Sequence, residues 1–340
     1  DNRVHAFSNK NAISILKNSQ INVYHDKIEK VIRIKKMSER YDHKIIGKID
    51  LHLPFNTNLR GVIKNSDLTI SKVRGTIAIK TESTDSDLNN LNGNINITTR
   101  GGNISATKLS GEMELSVVSG DINIFDCDAN SMLTMDNGNI FINGLKGNLL
   151  SNTTLGETLV SNYEGESSVF NINVGNLKIN KSKSNINATI DIGSVNINNI
   201  QGATTIFTGK GEINLNNIIG DVNCNTNFGN VNGINLFGKI NANSELGDIE
   251  INKGYNSFLK DHSVNIATKR GSISVRLPSD LPYAINSQCH NLETRNAISS
   301  EIPLDEEFLS AKVVGQGKIK EGTISCNLSS NYGPISIFTN

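Results

Sequence analysis

The sequence predicts an all-β fold, a single-stranded β-solenoid with about 18 residues, or two nine-residue units, per coil. Three observations carry that expectation. A glycine recurs every nine residues, a polar–apolar alternation follows each glycine, and the apolar content suits a thin core better than a compact sphere. Of 340 residues, 36% are apolar and 5% aromatic, and there is no tryptophan. The 29 glycines bring the apolar-plus-glycine share to about 45%, the lower edge of the globular range. Asparagine fills 51 positions, set between regularly spaced isoleucines and leucines.

The beat comprises Gly75, Gly93, Gly102, Gly111, Gly120, Gly138, Gly147, Gly156, Gly165, Gly175, Gly193, Gly202, Gly211, Gly220, Gly229, Gly238 and Gly247. Gaps are 9 or 18 residues, except a gap of 10 between Gly165 and Gly175. Thr84, Ala129 and Ser184 occupy the three skipped positions. Each glycine is predicted to form a structural corner that adopts positive φ or passes close to the next coil. Behind it the chain reads polar, apolar, polar, apolar, as in Gly120-Asp121-Ile122-Asn123-Ile124 and Gly193-Ser194-Val195-Asn196-Ile197. Period two is the mark of a half-buried strand and excludes helix. Units alternate in kind. Those like Asn198-Asn199-Ile200-Gln201 put an apolar residue seven after the glycine, and their neighbours end in polar turns such as Thr98-Thr99-Arg100 or Asn225-Thr226-Asn227. The full period is therefore about 18, and ten coils rising about 4.8 Å each make a rod of about 48 Å.

A solenoid must protect both ends from stray strand pairing, so its termini should depart from the repeat. Residues 1–74 are expected to form an N-terminal β cap, with strand-like stretches at 31–34 and 48–53. Residues 75–254 form the repeat. Residues 255–340 form a C-terminal strand and cap region, with a last repeat strand at Gly271-Ser272-Ile273-Ser274-Val275 and further strand candidates at 323–328 and 335–338. The basic run at 27–36 reads as a cap strand whose lysines guard an exposed edge, ahead of contact with acidic lipid or a protein partner.

The chemistry-bearing residues form no recognisable site. Charges balance at 33 basic and 33 acidic, which gives no net-charge argument for nucleic-acid binding. No stretch reaches the ~20 apolar residues of a membrane helix. Asp1 opens the chain without methionine, so the absence of a leader does not assign it to the cytosol. Cys127, Cys224, Cys289 and Cys326 form no C-x-x-C pair, so neither zinc nor a disulfide framework is expected. Cys127 and Cys224 fall on inward positions and read as small core residues. His5, His25, His43, His52, His262 and His290 share no metal-ligand spacing; they read as exposed imidazoles, with His43 and His52 the one pair that neighbouring strands could bring together. Gly101-Gly102-Asn103 only begins a calcium-roll motif. Six N-x-S/T sequons, including Asn96-Ile97-Thr98 and Asn152-Thr153-Thr154, follow from the asparagine content.

Residues directly after alternate glycines stack into one ladder: Asn103, Asp121, Asn139, Glu157, Asn176, Ser194, Glu212, Asn230, Asp248. Turn chemistry with spaced charge explains it. Acids two coils apart stand about 9.6 Å from each other, near the separation of about 6.5 to 9.5 Å used by inverting glycosidases. Glu212 and Asp248 are therefore the residues to mutate for that chemistry, but stacking aromatics are missing and Phe141 looks isolated.

The Gly-Asp/Asn-Ile-x-Ile beat resembles the adhesin-like β-strand repeat domain of unknown function found in bacterial proteins. Three further stretches resemble an uncharacterised animal family, "family with sequence similarity 185 member A", over residues 48–340. They are Lys269-Arg270-Gly271-Ser272-Ile273-Ser274-Val275-Arg276-Leu277-Pro278-Ser279, Gly322-Thr323-Ile324-Ser325, and Asp50-Leu51-His52-Leu53-Pro54 leading into Leu68-Thr69-Ile70. That resemblance implies the solenoid fold and a mitochondrial compartment, with no reaction and no functional residue to carry over. The expectation is a non-catalytic structural or interaction protein. It would be a rigid scaffold or accessory subunit that docks on other proteins, in a mitochondrial assembly, without cofactor, metal, nucleic acid or small-molecule ligand. The alternative is an extracellular or bacterial cell-envelope adhesin-like binding module, and a β-helix carbohydrate-active enzyme is a distant third.

Overall fold

The computed structural model describes residues 53–290 and 297–340, together with the backbone of four short strands ahead of them. The chain divides into two compact units, Asp1–Pro54 and Phe55–Asn340. In the first, Ile21–Asp26 and Val31–Lys36 form an antiparallel hairpin, which places part of the basic run on a strand. Asn2–Arg3 pairs antiparallel with Ile46–Gly47. The expected strand at 48–53 falls almost wholly outside the described residues, as do His5, His43 and His52.

The second unit is an all-β solenoid of about 11 turns with a spacing of about 18 residues per coil. Each coil contributes one strand to each of two stacked parallel ladders. In the ladder that starts behind Gly193, Val195 pairs with Ile213, and Ile213 with Val231. In the other, Thr204 pairs with Val222 and Val222 with Ile240. Alternation places every second side chain inside, so Val195, Ile197, Ile206, Ile213 and Ile240 are fully buried while the residues between them reach solvent. Cys127 and Cys224 occupy inward positions as expected, and Cys127 Sγ accepts a hydrogen bond from Leu109 N–H at 3.3 Å.

The glycine corner meets both conditions at once. At Gly156 φ is +145°, and a Cβ there would lie 1.7 Å from Gly138 O; at Gly193 the values are +149° and 1.7 Å from Gly175 O. Successive coils close at these corners because no side chain separates them. The 10-residue gap is a one-residue bulge opposite Lys183 and Asn185. It wraps the buried Tyr163, whose hydroxyl donates to Gly147 O at 2.8 Å and to Ser167 O at 2.9 Å.

Each coil has a second turn that the glycine beat does not reveal. Six residues after the glycine, Lys108, Asp126, Asn162, Lys181, Asn199, Asn217 and Asn235 hold φ between 51° and 60°. Asparagine and aspartate tolerate this left-handed region better than most residues, and the kink turns the following apolar residue inward. Leu109, Cys127, Leu145, Ile200 and Ile218 are buried by it.

The 18-residue register runs beyond 75–254 at both ends. Leu59–Lys64 already pairs parallel with Ile77–Glu82, one coil before Gly75. At the other end the chain makes the Val264–Arg270 and Ile273–Leu277 coil, leaves, and returns last to fill the next place. Val264 pairs with Cys326 and Ile273 with Ile335, and Gly333 stands where the beat requires a glycine. Tyr283–His290 then lies on the far side of Ile324–Ser330, so the C-terminal coil is threaded between two earlier segments. Parallel stacking stops where Lys312–Lys318 joins Tyr283–His290 antiparallel and Leu304–Leu309 follows, also antiparallel. The final strand carries Asp305, Glu306 and Glu307, charges that oppose further edge pairing.

Candidate functional site

The residue immediately before each glycine of the first ladder lies at the corner between the two strand layers. Backbone pairing stacks Leu155 on Val174, Val174 on Ile192, Ile192 on Lys210, Lys210 on Phe228, Phe228 on Leu246, and Leu246 on Arg270. The glycine that follows bends the chain away, so these side chains stand out from the body. Exposure is 49% for Leu155, 41% for Val174, 51% for Ile192, 54% for Phe228 and 37% for Leu246. The column ends with the Arg270 guanidinium over the Tyr332 ring, 5.6 Å from its centroid. From Leu155 to Tyr332 it covers seven coil rises, about 34 Å.

Isolated exposed apolar residues are ordinary on a protein surface; here five of them fall in one column, interrupted by Lys210. The expectation of polar turns is corrected here. In turns such as Asn225-Thr226-Asn227 the threonine points inward, where the Thr226 hydroxyl contacts Gly211 O at 3.4 Å and accepts from Thr208 at 2.9 Å. The next two residues reach the surface, and in the coils from Leu155 to Leu246 the second of them is apolar except at Lys210. Strand alternation continues one residue past the length expected of the unit, which moves that residue from a turn into a ridge.

The stacked Asn and acid ladder does structural work. Asn103 Oδ1 accepts from Asp121 N–H at 2.8 Å, Asp121 Oδ1 from Asn139 N–H at 2.8 Å, and Asn139 Oδ1 from Glu157 N–H at 3.0 Å. The pattern recurs from Asn230 to Asp248 N–H at 2.9 Å. Asp248 Oδ1 accepts from both the N–H and the hydroxyl of Ser272, at 2.7 and 2.8 Å, while Glu212 N–H meets Ser194 Oγ at 3.4 Å. The Asn and Asp side-chain oxygens thus cap the backbone N–H of the equivalent residue one coil on, whereas Glu157 Oε1 accepts from Asn176 Nδ2 at 3.2 Å. A matching column on the opposite corner runs through Asn130, Asn148 and Asn185. Phe141 is not isolated, since its ring lies 5.5 Å from that of Phe125. Five of the six sequon asparagines, Asn96, Asn103, Asn152, Asn180 and Asn327, have their side-chain amides bonded into these coil-to-coil contacts.

Sequence reasoning also missed Lys253, a fully buried lysine in the column that holds Leu236 one coil earlier. Six extra residues enter the coil here, shown by the pairing of Ile240 with Val264. Lys253 Nζ donates to Leu236 O at 3.4 Å, to Phe237 O at 2.9 Å and to Gly238 O. Three donors meet three carbonyls where the inserted loop interrupts the ladder. Burial pulls the Lys253 pKa down to about 8, against the upward pull of Asp221 and Asp261. His262 is buried beside it, which corrects the expectation of an exposed imidazole, and its Nδ1 lies 3.1 Å from Phe237 O. Desolvation lowers the His262 pKa, and the Lys253 charge adds to that. The group is enclosed and internally satisfied, so it reads as a plug in the core. All four cysteines are buried and unpaired, and burial pushes the Cys224 and Cys326 thiols up to about 12.

No protein-family model, curated protein or solved structure matches the chain. Among the described residues, no helix is long and apolar enough to cross a membrane.

Proposed function

We propose that the protein is a rigid, non-catalytic scaffold that docks proteins along its corner ridge, as a subunit of a mitochondrial assembly. One observation carries this reading: five large apolar side chains stand exposed in register along a single corner of the rod. Their backbone belongs to a hydrogen-bonded ladder, so little ordering entropy is lost on binding. The compartment rests on the animal-family resemblance in the sequence.

The test places a photoreactive residue either at Ile192 on the ridge or at Asn196 on the adjoining face, in the full chain in its native source. Crosslinks from position 192 that are absent from 196 support ridge docking. Crosslinks from 196 alone move the docking surface from the ridge to the flat asparagine-rich face, and none from either removes the scaffold reading.

A further inference from the structure

We infer that the occupant of the ridge is a second copy of this chain, laid antiparallel about a two-fold axis between Ile192 and Lys210. The inference rests on the ridge being a docking surface. Periodicity is the first argument. A ridge that repeats every coil rise of about 4.8 Å stays commensurate along its whole length with another ridge of the same rise. A helix, advancing about 1.5 Å per residue, presents no matching repeat.

Charge is the second. In a parallel pair each residue faces itself, which sets Lys210 against Lys210 and Arg270 against Arg270. The antiparallel register instead sets Leu155 opposite Leu246, Val174 opposite Phe228, and Ile192 opposite the aliphatic stem of Lys210. The column one residue earlier then places Asp136 opposite Lys269 and Asp191 opposite Gly209. Glycine leaves room there for the Lys210 ammonium to reach the Asp191 carboxylate of the other copy. Two-fold symmetry makes every one of these contacts twice, as an isologous interface requires.

Sedimentation velocity of the full chain from about 1 to 100 μM tests the inference, together with cysteine crosslinking. The wild type is expected to dimerise, and Phe228→Asp to weaken the dimer at least tenfold. Lys210→Asp alone weakens it, and Lys210→Asp with Asp191→Lys restores it. Val174 and Phe228 lie three coils apart within one chain, about 14 Å, too far for a disulfide inside a monomer. The Val174→Cys, Phe228→Cys double variant should therefore form a covalent dimer under mild oxidation, and Leu155→Cys alone should not, because the two copies of residue 155 would stand five coil rises, about 24 Å, apart. Efficient Leu155→Cys dimers would mean a parallel pair and overturn the proposed register. A monomer at 100 μM whose ridge still crosslinks a different protein overturns the second-copy inference and leaves ridge docking standing. A monomer whose ridge crosslinks nothing overturns both.

Discussion

Replacing Gly156 with alanine tests one of the two closest backbone approaches in the solenoid. The new Cβ would lie 1.7 Å from Gly138 O, whereas ordinary C···O contacts are about 3.3 Å. Relief demands a shift of about 1.6 Å between two coils. The bonds nearest this corner, Gly138 N–H to Leu155 O at 3.0 Å and Ile140 N–H to Glu157 O at 2.9 Å, would stretch past hydrogen-bonding range. Two such bonds are worth about 0.5–1.5 kcal/mol each. Holding alanine at φ +145° adds about 1–3 kcal/mol. The expected loss is therefore about 2–6 kcal/mol, read by urea unfolding, with faster hydrogen exchange concentrated at residues 138–158. Gly61→Ala is the control, because nothing lies within 4 Å of its Cβ position; it should be neutral or gain up to about 1 kcal/mol. A Gly156→Ala loss below about 1 kcal/mol would refute the close-approach account of the glycine beat.

Three other substitutions probe the polar interior. Lys253→Met should destabilise by about 2–3 kcal/mol by leaving buried carbonyls without their donor. With the folded pKa near 8 and the ordinary value 10.5, the unfolded chain binds more protons between those limits. Wild-type stability should then gain up to about 3 kcal/mol from this group as pH rises from 8 to 10.5, a slope that Lys253→Met removes; a wild-type advantage that shrinks with pH would contradict the assignment. Asn139→Ala should cost about 1 kcal/mol by uncapping Glu157 N–H, with Asn139→Asp retaining most of it and the longer Asn139→Gln little. Thr204→Val should stabilise by about 1 kcal/mol, since the Thr204 hydroxyl is fully buried with no partner among the described residues; thermal unfolding that shows a loss would point to an unseen acceptor.

Residues 75–247 determine their own coil. A glycine every nine residues and apolar side chains at alternate positions admit one stacking register, because a one-residue slip turns every isoleucine outward and drives a side chain into the neighbouring carbonyl. The same local logic placed Cys127 and Cys224 in the core and made the asparagine ladder readable as turn chemistry. Tertiary structure alone decided the rest. The left-handed turn is filled by Asn199, Lys181, Asp126 or Gly144, which share a tolerated backbone conformation and no hydrophobic signal. The chain's return to insert Ile324–Ser330 beside Val264–Arg270 depends on pairing across 62 residues, where local periodicity carries no information. Lys253 is buried because an inserted loop interrupts the ladder above three carbonyls, and a lone lysine in a sequence looks solvated. The ridge escaped for a related reason. Leu155, Val174, Ile192, Phe228 and Leu246 stand 18, 19 or 36 residues apart, with Lys210 between the third and fourth, and only the stacking of coils turns five separate turn residues into one exposed, largely apolar line.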